Sequence, residues 1–154
     1  MTHTIRTATP DDLPSIITLE KKCFPGPLAY SPRQLHYLLT KANSTVLVAT
    51  QHKTIHGFIV VLYRNGSATA GIETIDVDPN QRRCGIAHQL LTAAETDMHQ
   101  HKITRIRLEV STQNTAAIAL YQRAGYRTEE FLPNYYIYHH HGSRDAFRMV
   151  KDLS

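Results

Sequence analysis

The stretch that decides the fold is residues 75–91, which read "IDVDPNQRRCGIAHQLL". Alternating apolar residues end at an Asp-Pro pair, two arginines and a glycine follow, and an apolar pattern with helical spacing begins. This order is typical of a strand that gives way to a helix. A helix N-terminus carries unpaired N–H groups and a partial positive charge, so it binds phosphates readily. Gly85 would let the backbone approach a ligand closely. The residues alone leave open either an anion site or a glycine-containing turn before an ordinary helix.

The rest of the chain alternates between helical and strand patterns. Helices are predicted from Thr9, from Ser31-Pro32, from Gly85 and from Asn114, each beginning at a residue suited to a helix start. Period-two alternation and β-branched residues indicate strands in seven segments: "TIRTA", "STVLVAT", "TIHGFIVVLYR", "AGIETIDV", "RIRLEV", "YRTEEFL" and "DAFRMVKDL". We therefore expect one α/β (α+β) domain over residues 1–154, with a mixed sheet of about seven strands flanked by about four helices.

The composition bounds the function classes. The 154-residue chain is 42% hydrophobic and 19% charged, with a formal charge of +4 and two cysteines. No apolar run is long enough to span a bilayer, and the polar N-terminus lacks the apolar segment of a signal peptide, so a cytoplasmic location is expected. The basic residues are dispersed, which disfavours nucleic-acid binding and favours a small polyanionic ligand. The pattern is compatible with a monomer or a homodimer.

Two motifs resemble those of the GCN5-related N-acetyltransferase (GNAT) superfamily. The first is its Arg/Gln-x-x-Gly-x-Gly/Ala motif, matched by Arg82, Gly85 and Ala87, and the second is Asn-x-x-Ala-x-x-x-Tyr-x-x-x-Gly-Phe/Tyr, matched by residues 114–126. The resemblance implies a GNAT fold, acetyl-CoA as co-substrate and no metal. It also implies cofactor-binding residues, namely Ile75 and Val77 beside the acetyl-pantetheine arm, then Arg82, Arg83, Cys84, Gly85, Ile86 and Ala87 at the pyrophosphate, and further along Asn114 and Tyr121.

Acetyl transfer to an amine requires a neutral amine and a protonated leaving thiolate, so a general base and a general acid are sought. Tyr121 lies about two helical turns after Asn114, so both side chains point roughly the same way, and its phenol could protonate the thiolate. Asn114 could both cap its helix and bind the cofactor. Glu109, on the polar side of its strand, and Glu73, expected on the same strand face as Ile75 and Val77, are alternative bases. Many GNAT enzymes take their base from the strand of Glu73, at a position that corresponds to Gly71 here.

A closer resemblance is to the RimI-type ribosomal-protein-alanine N-acetyltransferases. It rests on "LEV" at 108–110, on "NTAAIALYQRAGY" and "NYY", and on a late "RDAFRM". It implies that Glu109 is the base and Tyr121, twelve residues later, the acid. It also implies that the loop in "EKKCFPGPLAYSPRQL" helps to receive a peptide. The segments "IYHHHGSRDAF" and "ETIDVDP" depart from that pattern where the acceptor is expected to bind.

Several residues outside the two motifs could also belong to a functional site. Three consecutive histidines, His139–His141, cannot all face one metal ion, and a solvated loop near the acceptor is expected there. Cys84 lacks a legible catalytic partner. Tyr135 and Tyr136 are either core aromatics or part of an acceptor gate. The leading prediction is an acetyl-CoA-dependent N-acetyltransferase acting on a peptide or protein α-amine. The alternatives are a small amine or lysine acceptor, and a CoA-binding module without turnover.

Overall fold

Seven strands and four α-helices form the fold in the computed structural model, which describes residues 3–153. The strands are β1 (Thr4–Thr7), β2 (Ser44–Gln51), β3 (Thr54–Leu62), β4 (Thr69–Val77), β5 (Arg105–Ser111), β6 (Arg127–Leu132) and β7 (Ala146–Asp152). The helices are α1 (Leu13–Cys23), α2 (Pro32–Thr40), α3 (Ile86–Gln100) and α4 (Thr115–Arg123). The sheet order is β1-β2-β3-β4-β5-β7-β6, parallel between β4 and β5 and antiparallel elsewhere. The predicted mixed sheet and helix number are confirmed.

The helix starts follow the local chemistry that the sequence indicates. Ser31 Oγ accepts from the Gln34 amide at 3.1 Å, and Gln34 Oε1 accepts from the Ser31 amide at 2.8 Å. This reciprocal capping box and a proline at the first helical position set the start of α2. The Asn114 side chain likewise caps α4 by accepting from the Ala117 amide at 3.2 Å.

The sheet separates two hydrophobic cores. On one face, α1 and α2 pack against β2 and β3 through residues such as Leu19, Leu35 and Phe58. On the other face, α3 covers the centre of the sheet, and Leu90, Leu91, Ala94 and Met98 are fully buried there. The predicted apolar stripe of α3 is therefore confirmed at these four positions. Helices therefore cover both faces of the sheet at β2 and β3, whose buried residues are largely apolar.

Ile86 is the first residue of α3 and has a buried side chain. Its side chain is 1% exposed and belongs to the core under α3, whereas Ala87 is only half-buried. The Ile86 side chain therefore turns inward, and the predicted contact of this residue with the cofactor can involve only its backbone amide.

The parallel strands β4 and β5 pair over a short length and then separate. Their register runs from Thr69 opposite Arg105 to Gly71 opposite Arg107. Beyond this point β4 continues to Val77 paired with β3, and β5 continues to Ser111 paired with β7. The sheet consequently splits at its centre, and a cleft opens between the free stretches of the two strands.

Candidate active site

The cleft between β4 and β5 is a cavity of about 360 Å³. Polar groups from six parts of the chain converge on it: Glu20, Tyr30, Glu73, Glu109, Asn114, Tyr121, Tyr135, Tyr136, His140 and His141. Apolar residues, among them Phe24, Ile75 and Leu108, complete the lining. A concave site with an apolar lining and a few convergent ionisable groups is the usual form of an enzyme site. The structure thus brings Glu73, Glu109, Asn114 and Tyr121 together, as the sequence predicts.

Tyr121 enters the cleft from α4, on the same side as Asn114. Its ring is packed against the core and lies 5.8 Å from the Tyr126 ring, measured between centroids. Burial, with a smaller contribution from Asp76, raises the pKa of Tyr121 to about 12. The phenol is therefore protonated at neutral pH and has a proton to donate into the cleft.

Two arginines hold Glu109. Arg107 Nη1 lies 2.8 Å and Arg148 Nε lies 2.9 Å from the same oxygen, Oε2. Arg107 shares the strand face of Glu109 two residues away, and Arg148 is its cross-strand partner on β7. The other oxygen, Oε1, is 3.4 Å from the Tyr135 hydroxyl. The carboxylate is thus fixed by one oxygen and presents the other to the cleft.

Gly71 makes room for one of these arginines. A Cβ on Gly71 would lie 3.2 Å from Arg107 Nη2, closer than an ordinary contact. The guanidinium therefore occupies the space beside the position from which many GNAT enzymes take their base. In this chain the space beside Gly71 holds a cation that orients Glu109.

Glu73 lies in a β-bulge. Val60 pairs with Thr74 and Val61 pairs with Ile72, so Glu73 has no partner on β3. The bulge reverses the alternation, because Ile72 and Ile75 both pack in the core under α3. The expectation that Glu73 shares a face with Ile75 and Val77 is therefore wrong. Its Oε1 instead accepts from the Tyr30 hydroxyl at 2.6 Å.

Tyr135 and Tyr136 line the cleft from the segment between β6 and β7. Tyr135 is 46% exposed, so the core interpretation is wrong for it. The Tyr136 ring lies 3.9 Å from the His140 ring, measured between centroids, and the two tyrosine rings are perpendicular at 5.0 Å. The histidine segment therefore abuts the cleft, as predicted, and supports its aromatic wall.

The start of α3 offers a site for an anion. Gly85 has a φ of +77°, and a Cβ built on it would meet nothing within 4 Å. The first amides of α3 have no acceptor within the helix, so they are available to a ligand at this end of the helix. Arg82, Arg83 and Cys84 are exposed beside it. Backbone donors, a helix N-terminus and two cations suit a pyrophosphate.

Four residues of the site were missed by the sequence analysis: Glu20, Tyr30, Arg107 and Arg148. Tyr30 belongs to the loop that the resemblance assigns to peptide binding. Its contact with Glu73, however, depends on the bulge in β4. The arginines reach Glu109 through a strand register that joins residues 39 positions apart. Within residues 3–153 no group of three or more His, Cys, Asp and Glu side chains is arranged to hold a metal ion, and no helix is long and apolar enough to cross a membrane.

Comparisons with known proteins agree with this architecture. The sequence profile of the acetyltransferase (GNAT) family matches residues 13–126. An N-alpha-acetyltransferase of Saccharolobus solfataricus is 27% identical over 97% of this chain and 93% of its own length. The ribosomal protein bS18-alanine N-acetyltransferase of Escherichia coli is 34% identical over 44% of this chain and 45% of its own length. The crystal structure of the ribosomal-protein-S18-alanine N-acetyltransferase from Escherichia coli has a TM-score of 0.88 and 25% identity, covering 99% of this chain and 94% of that one.

The fold and the family match over most of the sequence show to which family the chain belongs. It belongs to the acetyltransferase (GNAT) family and is an acetyltransferase. Within that family it is similar to the RimI-type ribosomal-protein-alanine N-acetyltransferases, in sequence and in fold.

Proposed function

We propose that the protein transfers an acetyl group from acetyl-CoA to the N-terminal α-amine of a peptide or protein. The observation that carries this proposal is the convergence of Glu109, Glu73 and Tyr121 on one cleft beside an aromatic wall. The similarity to α-amine acetyltransferases supports the acceptor class.

The residues at the start of α3 fit the cofactor. The open space at Gly85 admits a pyrophosphate close to the backbone, and Arg82 and Arg83 add charge from its rim. The proposed course of the pantetheine arm runs from there into the cleft, which is lined by Ile75, Asn114 and Tyr121. Bound there, acetyl-CoA supplies the thioester carbonyl that the amine attacks.

Glu109 is the proposed general base. Arg107 and Arg148 both bind Oε2, so Oε1 remains to accept a proton from the acceptor amine, directly or through a water. Glu73 is the alternative base, since its carboxylate lines the same cleft. Tyr121 is the proposed acid, because its protonated phenol faces the cleft and can donate to the departing thiolate.

Tyr30, Tyr135 and Tyr136 are the proposed acceptor wall. They line the cleft from the segment after α1 and from the segment between β6 and β7. An acceptor that enters the cleft as an extended peptide N-terminus could contact aromatic side chains of both segments. Small amines would use little of this wall.

Thiol release from acetyl-CoA, measured with a panel of acceptors, tests the proposal. The panel contains Ala-initiated peptides, polyamines, free amino acids and a peptide whose only amine is a lysine side chain. Turnover with the Ala-initiated peptides alone supports the proposed function. Turnover with the small amines or the lysine peptide alone would reject an α-amine acceptor of peptide type.

A further inference from the structure

Two buried carboxyl groups meet behind the wall of the cleft. Glu20 on α1 and Asp76 on β4 are each 1% exposed. For Glu20 Oε1 and Asp76 Oδ2 the described residues provide no hydrogen-bond partner. Glu20 is the neighbouring side chain that acts most strongly on Asp76, so the two carboxyl groups lie next to each other. Since two ionised carboxylates have no donor between them, a proton on one of the pair is needed to satisfy these buried oxygens.

The remaining oxygens of the pair connect it to the cleft. Asp76 Oδ1 accepts from Thr74 Oγ1 at 2.7 Å, and Glu20 Oε2 accepts from the Tyr30 amide at 2.9 Å. The Tyr30 hydroxyl in turn donates to Glu73 Oε1 at 2.6 Å. Together with the adjacency of Glu20 and Asp76, these bonds connect Asp76 of β4 through α1 and the following loop to Glu73 of β4.

We propose that Glu20 and Asp76 share one proton, and that this pair is a positioning device which holds Tyr30 against β4 and thereby sets the affinity for the acceptor. The proposal rests on the proposed function, because Tyr30 belongs to the proposed acceptor wall. Without the proton, two like charges would face each other in a dry site and push α1 away from β4. The amide and the hydroxyl of Tyr30 would then lose their common anchor.

The surroundings favour the shared proton. Burial raises the pKa of Asp76 well above its ordinary value, and Glu20 raises it further. The groups that face the pair from the neighbouring elements are Cys23 of α1, Tyr30 of the following loop, Phe58 of β3, Tyr121 of α4 and Arg82 of the loop before α3. Cys23 and Tyr121 are neutral at pH 7, with pKa values raised to about 11 and about 12. Arg82 favours the ionised form of Asp76 but is the smallest influence on it.

The sign of the pH dependence follows from the raised pKa. In the unfolded chain Asp76 ionises near its ordinary value of 3.8, whereas in the folded chain it keeps its proton to higher pH. Stability from this group is complete below pH 3.8 and is lost as the pH rises through the folded pKa. For one proton the unfolding equilibrium constant increases by up to about tenfold per pH unit within that window.

Urea unfolding as a function of pH measures the proton without any assay of activity. Asp76→Asn keeps a donor toward Glu20 and an acceptor toward Thr74 but cannot ionise. We expect the wild type to lose stability with rising pH more steeply than Asp76→Asn, by up to about tenfold in the equilibrium constant per pH unit. Asp11→Asn, at an exposed carboxylate, is the matched control and is expected to keep the wild-type slope. Equal slopes for wild type and Asp76→Asn would overturn the shared proton.

Hydrogen exchange at the Tyr30 amide measures the positioning. In Asp76→Ala we expect this amide to exchange at least tenfold faster, and in Asp76→Asn to remain near the wild-type rate. With an active acceptor peptide, KM for the peptide should rise at least tenfold in Asp76→Ala at unchanged kcat and be restored in Asp76→Asn. Unchanged exchange at Tyr30 in Asp76→Ala would overturn the positioning role. If no acceptor of the panel is acetylated, the proposed function is rejected. The unfolding and exchange results would still decide this inference.

Discussion

At the scale of single residues, the protonation state of Tyr121 decides what it can do. A phenol that stays protonated can donate a proton to a developing thiolate but cannot act as a base at neutral pH. The ring also fills space between α4 and the core, so its packing and its hydroxyl have separable roles. Replacement by phenylalanine removes the hydroxyl and keeps the packing of the ring.

Tyr121→Phe should therefore lower kcat by about 10²-fold, because general acid catalysis contributes at least that much. The dissociation constant of acetyl-CoA should change less than about threefold, since the ring remains. Steady-state kinetics and calorimetric titration measure the two quantities. Tyr63→Phe removes a hydroxyl bonded to Asp97, outside the cleft, and serves as the matched control. A Tyr121→Phe enzyme with wild-type kcat would remove this residue from the mechanism.

The two candidate bases differ in how they are held. Glu109 is fixed by two guanidinium groups on one oxygen, whereas Glu73 accepts from the hydroxyl of Tyr30, a residue of the proposed acceptor wall. We expect Glu109→Gln to lower kcat by about 10²-fold or more and to lose the rise of kcat with pH that a carboxylate base produces. Glu73→Gln should act mainly on KM for the acceptor. pH–rate profiles of both variants separate the roles, and the reverse pattern would make Glu73 the base.

At the scale of elements, the bulge in β4 marks the boundary of what the sequence can predict. Strands, helices, the caps at Ser31 and Asn114 and the stripe of α3 follow from local patterns, and the structure confirms them. The predicted cap at Thr9 is wrong, because its side chain makes no cap hydrogen bond and α1 begins only at Leu13, after a short 3-10 turn. The bulge at Glu73 does not follow from local patterns, because it depends on the register with β3. The same holds for the Arg107–Glu109–Arg148 cluster and the Glu20–Asp76 pair, which join distant segments. Local periodicity predicted the elements and the motif resemblance indicated the site residues, whereas long-range register determines which atoms meet in the cleft.

The start of α3 permits a matched comparison of two glycines. Gly85 and Gly66 have φ values of +77° and +79°, and neither would place a Cβ within 4 Å of another atom. Substitution by alanine should destabilise the fold by about 1 kcal/mol at either position, because the left-handed region is unfavourable for a residue with a Cβ. Gly85→Ala alone should also raise the dissociation constant of acetyl-CoA by about tenfold or more, since its methyl group enters the proposed pyrophosphate space. Equal acetyl-CoA affinity in both variants would contradict a pyrophosphate site at Gly85.

At the scale of the whole molecule, the split sheet divides the fold into two parts joined by few strand contacts. The parallel pairing of β4 with β5 covers only Thr69–Gly71 on β4, so a ligand in the cleft would contact both parts. A ligand that binds only the folded state stabilises it by mass action. Binding of the proposed cofactor in the cleft should therefore raise the free energy of unfolding of the whole protein.

Acetyl-CoA at 100 times its dissociation constant should stabilise the protein by about 2.7 kcal/mol, which corresponds to a rise in Tm of about 5–10 °C for a chain of this size. Thermal unfolding followed by calorimetry measures the shift. At the same ligand concentration Gly66→Ala should keep the full shift, and Gly85→Ala should lose about half of it, because a tenfold weaker affinity removes about 1.4 kcal/mol. A Tm that does not respond to acetyl-CoA would contradict binding to the folded cleft, whereas equal shifts in both variants would place the ligand away from the start of α3.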